Sequence, residues 1–329
     1  MKIEARYFKV VDENTLQCLL CPNLCILRNN EIGSCKTRQN IDGKLYQLFY
    51  KMASSIAIDP IEKKPLYHFY PSSKIFSIGT VGCSFHCMFC QNYSISQFTD
   101  IHLEQIDEKE IYEIMKENNI NLLAFTYNEP LIWYETVYDI SKYLKEKDKN
   151  IKIVLVSNGY INSKPLMDLL PYIDAMNIDL KSFQNDFYKK FCDGKLEPVL
   201  QTIKTAAKYI HVEITTLVIP TLNDSEQEIA TIANFLSSIN PDIPLHISKY
   251  YPYYKLNIPP TSTDTILKLV DVAKKSLRYV YSGNIPSKDD STYCSCGNKL
   301  IDRHGYTAKI TGIKDGVCMV CGKKIYGKF

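Results

Sequence analysis

Three thiols fall within the eight residues Cys83-Ser84-Phe85-His86-Cys87-Met88-Phe89-Cys90, spaced C-x3-C-x2-C. A closed structural metal site uses four protein ligands, whereas three leave one coordination position open to a substrate or cofactor. Thiolates select zinc or iron–sulfur clusters over harder metals. A [4Fe–4S] cluster on three cysteines keeps one iron free for a small chelating molecule. The alternative is a zinc knuckle completed by His86, but His86 adjoins Cys87 and is poorly placed for the same tetrahedron.

Two further clumps of cysteine flank this motif. Cys18, Cys21, Cys25 and Cys35 occupy eighteen residues near the start. Four thiols suffice for a closed Zn(Cys)4 site or an auxiliary iron–sulfur cluster, and free structural thiols are the third reading. Near the end, Cys294-Ser295-Cys296 and Cys318-Met319-Val320-Cys321 are two knuckles joined by an expected hairpin, which reads as a zinc ribbon. The C-x-C knuckle is one residue short of the usual pair, so His304 stands as a substitute ligand. Cys192 is left over and reads as a semi-buried structural thiol without a clustered partner.

The elements that must carry these residues alternate. Apolar, β-rich runs at Ile75–Gly79, Leu122–Thr126, Ile151–Val156, Ala175–Leu180, His211–Ile219, Pro244–Ser248 and Arg278–Tyr281 are separated by segments of helical periodicity. One helix opens with an Asp107–Glu110 capping box, and another is expected from Asp224 to Leu236. Repeated βα units imply a parallel sheet with right-handed crossovers. Six or seven units are too few for a complete eight-fold barrel, so the expected fold is α/β, a partial (β/α)6-type barrel. The expected domains are an N-terminal Cys-rich subdomain over 1–73, the barrel over 74–284 and the ribbon-like tail over 285–329.

Polar clusters end the strands: Thr80-Val81-Gly82, Thr126-Tyr127-Asn128-Glu129-Pro130, Ser157-Asn158-Gly159-Tyr160, Asp179-Leu180-Lys181 and His246-Ile247-Ser248-Lys249. In βα barrels catalytic groups sit at the C-terminal ends of strands, so all five would face one mouth around the cysteines. Residues 45–58 read as a strand or hairpin. In Asp59-Pro60-Ile61-Glu62-Lys63-Lys64-Pro65-Leu66-Tyr67-His68-Phe69 two prolines confine the chain to an extended loop.

The bulk numbers exclude little else. The chain has 329 residues, 45% hydrophobic and 23% charged, with a formal charge of +3, the composition of a soluble globular protein. No apolar stretch resembles a signal peptide or a spanning helix. Twelve cysteines without a secretion signal point to metal rather than disulfides, hence to a reducing cytoplasm. The tail carries seven Lys and one Arg against four Asp, which a solvated face explains as well as RNA docking does.

Taken together, the Cys83–Cys90 motif with Phe89, the Cys18/Cys21/Cys25/Cys35 start, the Asp59–Phe69 stretch, Thr126–Pro130, Leu245–Lys249 and the tail resemble the radical S-adenosylmethionine (SAM) enzymes of the AmmeMemoRadiSam system. Those enzymes are themselves similar to pyruvate formate-lyase activating enzymes. The resemblance implies a [4Fe–4S] cluster on Cys83, Cys87 and Cys90 that reductively cleaves SAM to a 5′-deoxyadenosyl radical. It places Phe89, Asn128, Glu129, Ser157, Asn158, Asp179, Lys181 and His246 around SAM, with Glu129 at its ammonium and Lys181 at its carboxylate. Where the superfamily carries Gly-Gly-Glu, this chain has Asn128-Glu129. The implied partners are a reductant of the flavodoxin or ferredoxin type and Memo-like and AMMECR-like proteins. A glycyl-radical activase acting on a protein glycine and an RNA-modifying or RNA-binding protein are the competing functions.

Overall fold

The computed structural model describes residues 1–285 and 289–329. Eight strands build the central sheet: β1 (Ser55–Pro60), β2 (Lys74–Gly79), β3 (Leu122–Phe125), β4 (Lys152–Ser157), β5 (Ala175–Asp179), β6 (His211–Val218), β7 (Leu245–Lys249) and β8 (Val280–Gly283). They lie in sequence order. The strands from β2 to β8 are parallel, and β1 joins β2 antiparallel at one edge. All seven expected strands are present within two residues of their expected bounds. The sheet is open, with β1 and β8 at its two edges. Pro60 closes the edge strand β1, where a residue without an N–H costs no ladder bond.

Among the described residues, six helices of seven residues or more fill the crossovers: α1 (Glu108–Glu117), α2 (Tyr134–Lys147), α3 (Ser163–Leu169), α4 (Leu196–Tyr209), α5 (Glu226–Ile239) and α6 (Thr263–Ala273). Asp107 caps α1 by accepting from Lys109 N at 2.8 Å. The α5 helix starts two residues later than expected because Ser225, not Asp224, is its cap and accepts from Glu228 N.

Period-two alternation sorts the strand residues onto two faces. Leu123, Phe125, Ile153, Leu155, Met176 and Ile178 pack with Val137, Ile140, Val199 and Ile203 of the helices. Leu122, Ala124, Val154 and Ala175 point the other way. They are covered not by helices but by Ile61, Leu66 and Phe69 of the segment after β1. Burying three such side chains contributes roughly 1.5–3 kcal/mol each, which fixes this segment on the sheet. It was expected as an extended loop, and it begins instead with a 3-10 turn over Ile61–Lys63.

The same face carries a polar centre. Glu213 of β6 is fully buried. Its carboxylate accepts from Tyr67 N (3.0 Å), His68 N (2.7 Å), His211 Nε2 (3.0 Å) and His246 Nε2 (2.7 Å). The tail closes over this centre. Arg303, itself buried, donates to Tyr67 O (2.8 Å) and Thr292 Oγ1 (3.0 Å) and lies 4.1 Å from the Tyr67 ring centroid. His68 Nδ1–H donates to Tyr326 O at 2.8 Å, which leaves Nε2 to accept from Tyr281 Oη at 2.6 Å. The tail is therefore joined to the sheet by buried hydrogen bonds rather than hung from it. At the other end, Arg38 pairs with Glu135 of α2 at 2.6 Å, with both side chains buried.

Burial lowers the His68 pKa from 6.5 to about 4. For Glu213, burial would raise the pKa, but the bonds from His211 and His246 outweigh it and hold the carboxyl well below its ordinary value. Both groups bind more protons unfolded than folded, so both contribute stability that is lost as pH falls. For His68 the window runs from 6.5 down to 4 and is worth about 3 kcal/mol. Urea midpoints should fall across that window, and a flat profile would show that His68 is not held neutral. Glu213→Gln, which sets an NH2 against buried donors, should cost about 3–5 kcal/mol by the same measurement.

Candidate functional site

The Cys83–Cys90 loop leaves the C-terminal end of β2 and has no regular secondary structure of its own. Its shape is imposed from outside. His86 N donates to Cys192 O (2.8 Å), Met88 N to Phe191 O (2.9 Å) and Lys255 N to Met88 O (2.9 Å). Asn23 Nδ2 donates to Ser84 O at 2.9 Å, and Gln97 Nε2 to Phe85 O at 3.2 Å. Phe85 is buried against Tyr160 and Tyr188. The ring nitrogens of His86 lie 3.1 Å from Asp193 Oδ2 and 3.1 Å from Ser34 O, so His86 is engaged away from a thiol tetrahedron.

Around the thiols, Cys83 Sγ receives Phe85 N at 3.4 Å and Asn158 Nδ2 at 3.6 Å. Asn158 also donates to Ser84 Oγ at 3.0 Å. Cys192 is fully buried, and its thiol lies beside that of Cys87, where with Lys181 it outweighs burial and lowers the Cys87 pKa. The expectation that Cys192 has no clustered partner is therefore corrected. Cys192 ends a π-helical turn, Tyr188–Cys192, followed by left-handed Asp193; such turns recur at functional sites. A distance of more than a hundred residues hid this pairing from any local motif.

The remaining candidates separate. Lys181 Nζ pairs with Asp179 Oδ2 at 2.9 Å and lies 5.9 Å from the Phe89 ring centroid. Burial pulls the Lys181 pKa down, but Asp179, Cys87 and Cys192 outweigh it, so the ammonium is firmly charged. Glu129 is buried; Oε1 accepts from Ser157 Oγ (2.7 Å) and Leu131 N (2.9 Å), and Oε2 from Asn158 N (2.8 Å). Burial raises its pKa to about 7. Asn128 bridges Thr80 N (3.1 Å) and Gly82 O (2.8 Å), so its side chain braces the chain entering the cysteine loop. His246 Nε2 is bound to Glu213 of the neighbouring strand, and its ring is enclosed by Tyr67 and Tyr281.

In the tail, all four thiols gather, with every Sγ of Cys294, Cys296, Cys318 and Cys321 within 4.8 Å of the others. The short C-x-C knuckle reaches after all. His304 is exposed and turned to Asp302 at 3.6 Å, outside the set. Cys18, Cys21, Cys25 and Cys35 line one small enclosed cavity with Arg38 and Ile132.

A family model for the radical SAM superfamily matches residues 77–235. The uncharacterized protein MJ0808 of Methanocaldococcus jannaschii is 42% identical over 332 residues, covering 98% of each chain. The pyruvate formate-lyase-activating enzyme of Clostridium pasteurianum is 26% identical over 188 residues, 54% of this chain and 77% of that enzyme. The chain contains a radical SAM domain. Among solved structures, a radical SAM methyltransferase from Sphaerobacter thermophilus shares the fold at a TM-score of 0.54 and 11% identity, over 86% of this chain and 75% of that one.

The radical SAM domain makes this chain an enzyme and implies a [4Fe–4S] cluster and SAM. The donor set fits such a cluster. Three buried or half-buried thiols share one loop, and they are not drawn to the spacing of a single-ion site as the tail thiols are. Amide N–H groups meet Cys83, and hydrogen bonds of that kind tune cluster potential. Among the described residues, no helix is long and apolar enough to cross a membrane.

The seat of the loop is testable at Gly194. A Cβ there would lie 2.2 Å from Phe85 Cε1 and 2.8 Å from Cδ1. Gly194→Ala should displace the ring, cost about 1–3 kcal/mol as overpacking does, and lower the iron retained after anaerobic reconstitution. Full iron occupancy and an unchanged melting temperature would show that Phe85 does not set the loop.

Proposed function

We propose that this chain is a radical SAM enzyme of the AmmeMemoRadiSam type, built on a partial (β/α)6-type barrel, with Cys83, Cys87 and Cys90 as the ligands of its [4Fe–4S] cluster. The observation that carries this reading is the three-thiol loop clamped at the C-terminal end of a parallel sheet, beside a half-buried, charged Lys181. A bound cluster would supply the one electron that splits the C–S bond of SAM into methionine and a 5′-deoxyadenosyl radical able to take hydrogen from a substrate carbon.

The chain's own residues have distinct tasks in this reading. Lys181 receives the SAM carboxylate, since a charge-assisted bond exceeds a neutral one. Its strand partner Asp179 holds the ammonium in place at 2.9 Å. Ser157 and Asn158 carry the β4 exit to the ribose side, and Phe89 walls the site. Glu129 fixes that exit through Ser157 Oγ and Asn158 N; a ligand ammonium bound nearby would favour its ionised form against the burial that raises its pKa. The tail thiols hold one structural zinc, which one zinc per chain by metal analysis would support and none would refute.

A reductant of the flavodoxin or ferredoxin class and Memo-like and AMMECR-like proteins are the proposed partners. Glycyl-radical activation is the second reading, favoured by the similarity to the Clostridium pasteurianum activating enzyme. RNA docking on the tail is less supported, because its single arginine, Arg303, is buried in the Tyr67 contact rather than offered to a phosphate.

Anaerobic, reduced protein given SAM should release 5′-deoxyadenosine, and changing Cys83, Cys87 and Cys90 to Ala should abolish it. Release that survives the triple change sinks the proposal. Lys181→Met keeps the apolar stem and removes the charge. It should weaken SAM binding with the cluster still assembled, whereas unchanged affinity with lowered stability would leave Lys181 as a purely internal partner of Asp179.

A further inference from the structure

Four thiols away from the Cys83 loop surround a common space. Cys18, Cys21, Cys25 and Cys35 line an enclosed cavity whose other walls are Leu20, Asn23, Gly33, Arg38 and Ile132. Cys18, Cys21 and Cys35 are buried and Cys25 is half-buried. Gly33 keeps the wall thin, since a Cβ there would meet Cys25 Sγ at 3.8 Å and Cys35 Sγ at 3.9 Å.

A second observation points to an anion in this space. Arg38 is 1% exposed and lines the cavity. One side of its guanidinium is bound to Glu135 and Arg6 O, but its Nε has no partner. A buried, unpaired donor on a cation costs about 1–3 kcal/mol or more unless something negative accepts from it. Four thiolates around a metal centre carry net negative charge.

The spacing separates the two metals that thiolates favour. Zinc, with Zn–S near 2.3 Å, draws four sulfurs to about 3.8 Å of one another, and the tail thiols already meet that condition. Among the described residues, no three of the N-terminal sulfurs lie within 4.8 Å of one another. A wider set suits ligands divided among several irons.

The cavity also abuts the candidate active site. A Cβ on Gly82 would lie 2.4 Å from Cys35 O, and Gly82 precedes Cys83. Asn23, on the cavity wall, donates to Ser84 O, and His86 Nε2 lies against Ser34 O. We propose that Cys18, Cys21, Cys25 and Cys35 hold a second iron–sulfur cluster that relays single electrons to the cluster on Cys83, Cys87 and Cys90. A protein donor of the flavodoxin or ferredoxin class is oxidised by one electron, and the cluster at Cys83 is reduced by one. The relay rests on the function proposed above; the metal site does not.

The test uses the full chain with Cys83, Cys87 and Cys90 changed to Ala, reconstituted anaerobically with iron and sulfide. It should keep bound iron and sulfide and show a cluster signal by Mössbauer spectroscopy, fewer irons than the unchanged chain. Two zincs and no iron in this variant would overturn the inference and leave the Cys83 reading intact. As much iron as in the unchanged chain would support the inference and sink the Cys83 reading instead. For the relay, Cys35→Ala should slow reduction of the remaining cluster by flavodoxin while reduction by dithionite persists. If that variant fails to fold, Mössbauer spectra of the unchanged chain during stepwise reduction by flavodoxin decide the point. Two cluster populations, the non-SAM-binding one reduced first, are expected; a single population overturns the proposal.

Discussion

The carboxylate of Glu213 is the constraint on which the rest of this structure turns. It is buried and has four donors: two amides of the segment after β1, the imidazole of His211 on its own strand and that of His246 on the next. A buried carboxylate without such partners would be too costly to keep charged. With them, it decides where Tyr67 and His68 lie, and those residues decide where the tail lies. Arg303 needs Tyr67 O, and Tyr326 O needs the N–H of His68. The sheet, the covering segment and the tail therefore form one polar assembly with its centre at a single side chain.

The same covering segment reaches the candidate site from beneath. Asp59, the penultimate residue of β1, accepts from Lys64 Nζ and from Tyr127 Oη, each at 2.8 Å. Burial alone would raise its pKa, but these donors hold it at about 2. Tyr127 takes a left-handed φ of 73° at the exit of β3, an uncommon conformation for an aromatic residue. Its phenol bond to Asp59 and the Asn92 bond to its carbonyl stabilise that turn. The next residue is Asn128, whose amide spans Thr80 and Gly82. A chain of polar contacts thus runs from the segment on the sheet face, through the β3 exit, to the start of the cysteine loop.

What could be read from the sequence follows from the range of each signal. Strand positions came from local alternation and β-branched runs, and the thiol motif and tail knuckles from spacing within a few residues; all of these lie where expected. The strand-end pattern put His246 on β7, but that pattern contains no information on its partner, Glu213, which sits on the neighbouring strand. Cys192 beside Cys87 and Arg38 beside Glu135 are separated by about a hundred residues, and the chain between them has no feature that ties one to the other. The proline-rich segment was legible as a loop, while its seat on the sheet depends on Glu213, 145 residues along the chain from His68.

Lys181 shows why an internal contact does not by itself exclude a ligand role. An ammonium has three donors, and Asp179 takes one of them at 2.9 Å. Asp179 is more exposed than Lys181, so it orients the ammonium from the open side without sealing it. Asp179 favours the charged lysine against the pull of burial, so the cation persists whether or not a ligand is present, and no protonation step must precede binding. In the proposed enzyme a ligand carboxylate would meet an ammonium already charged and already aimed. The cost of ordering that side chain was met in folding, by the ion pair that might otherwise be taken for its whole purpose.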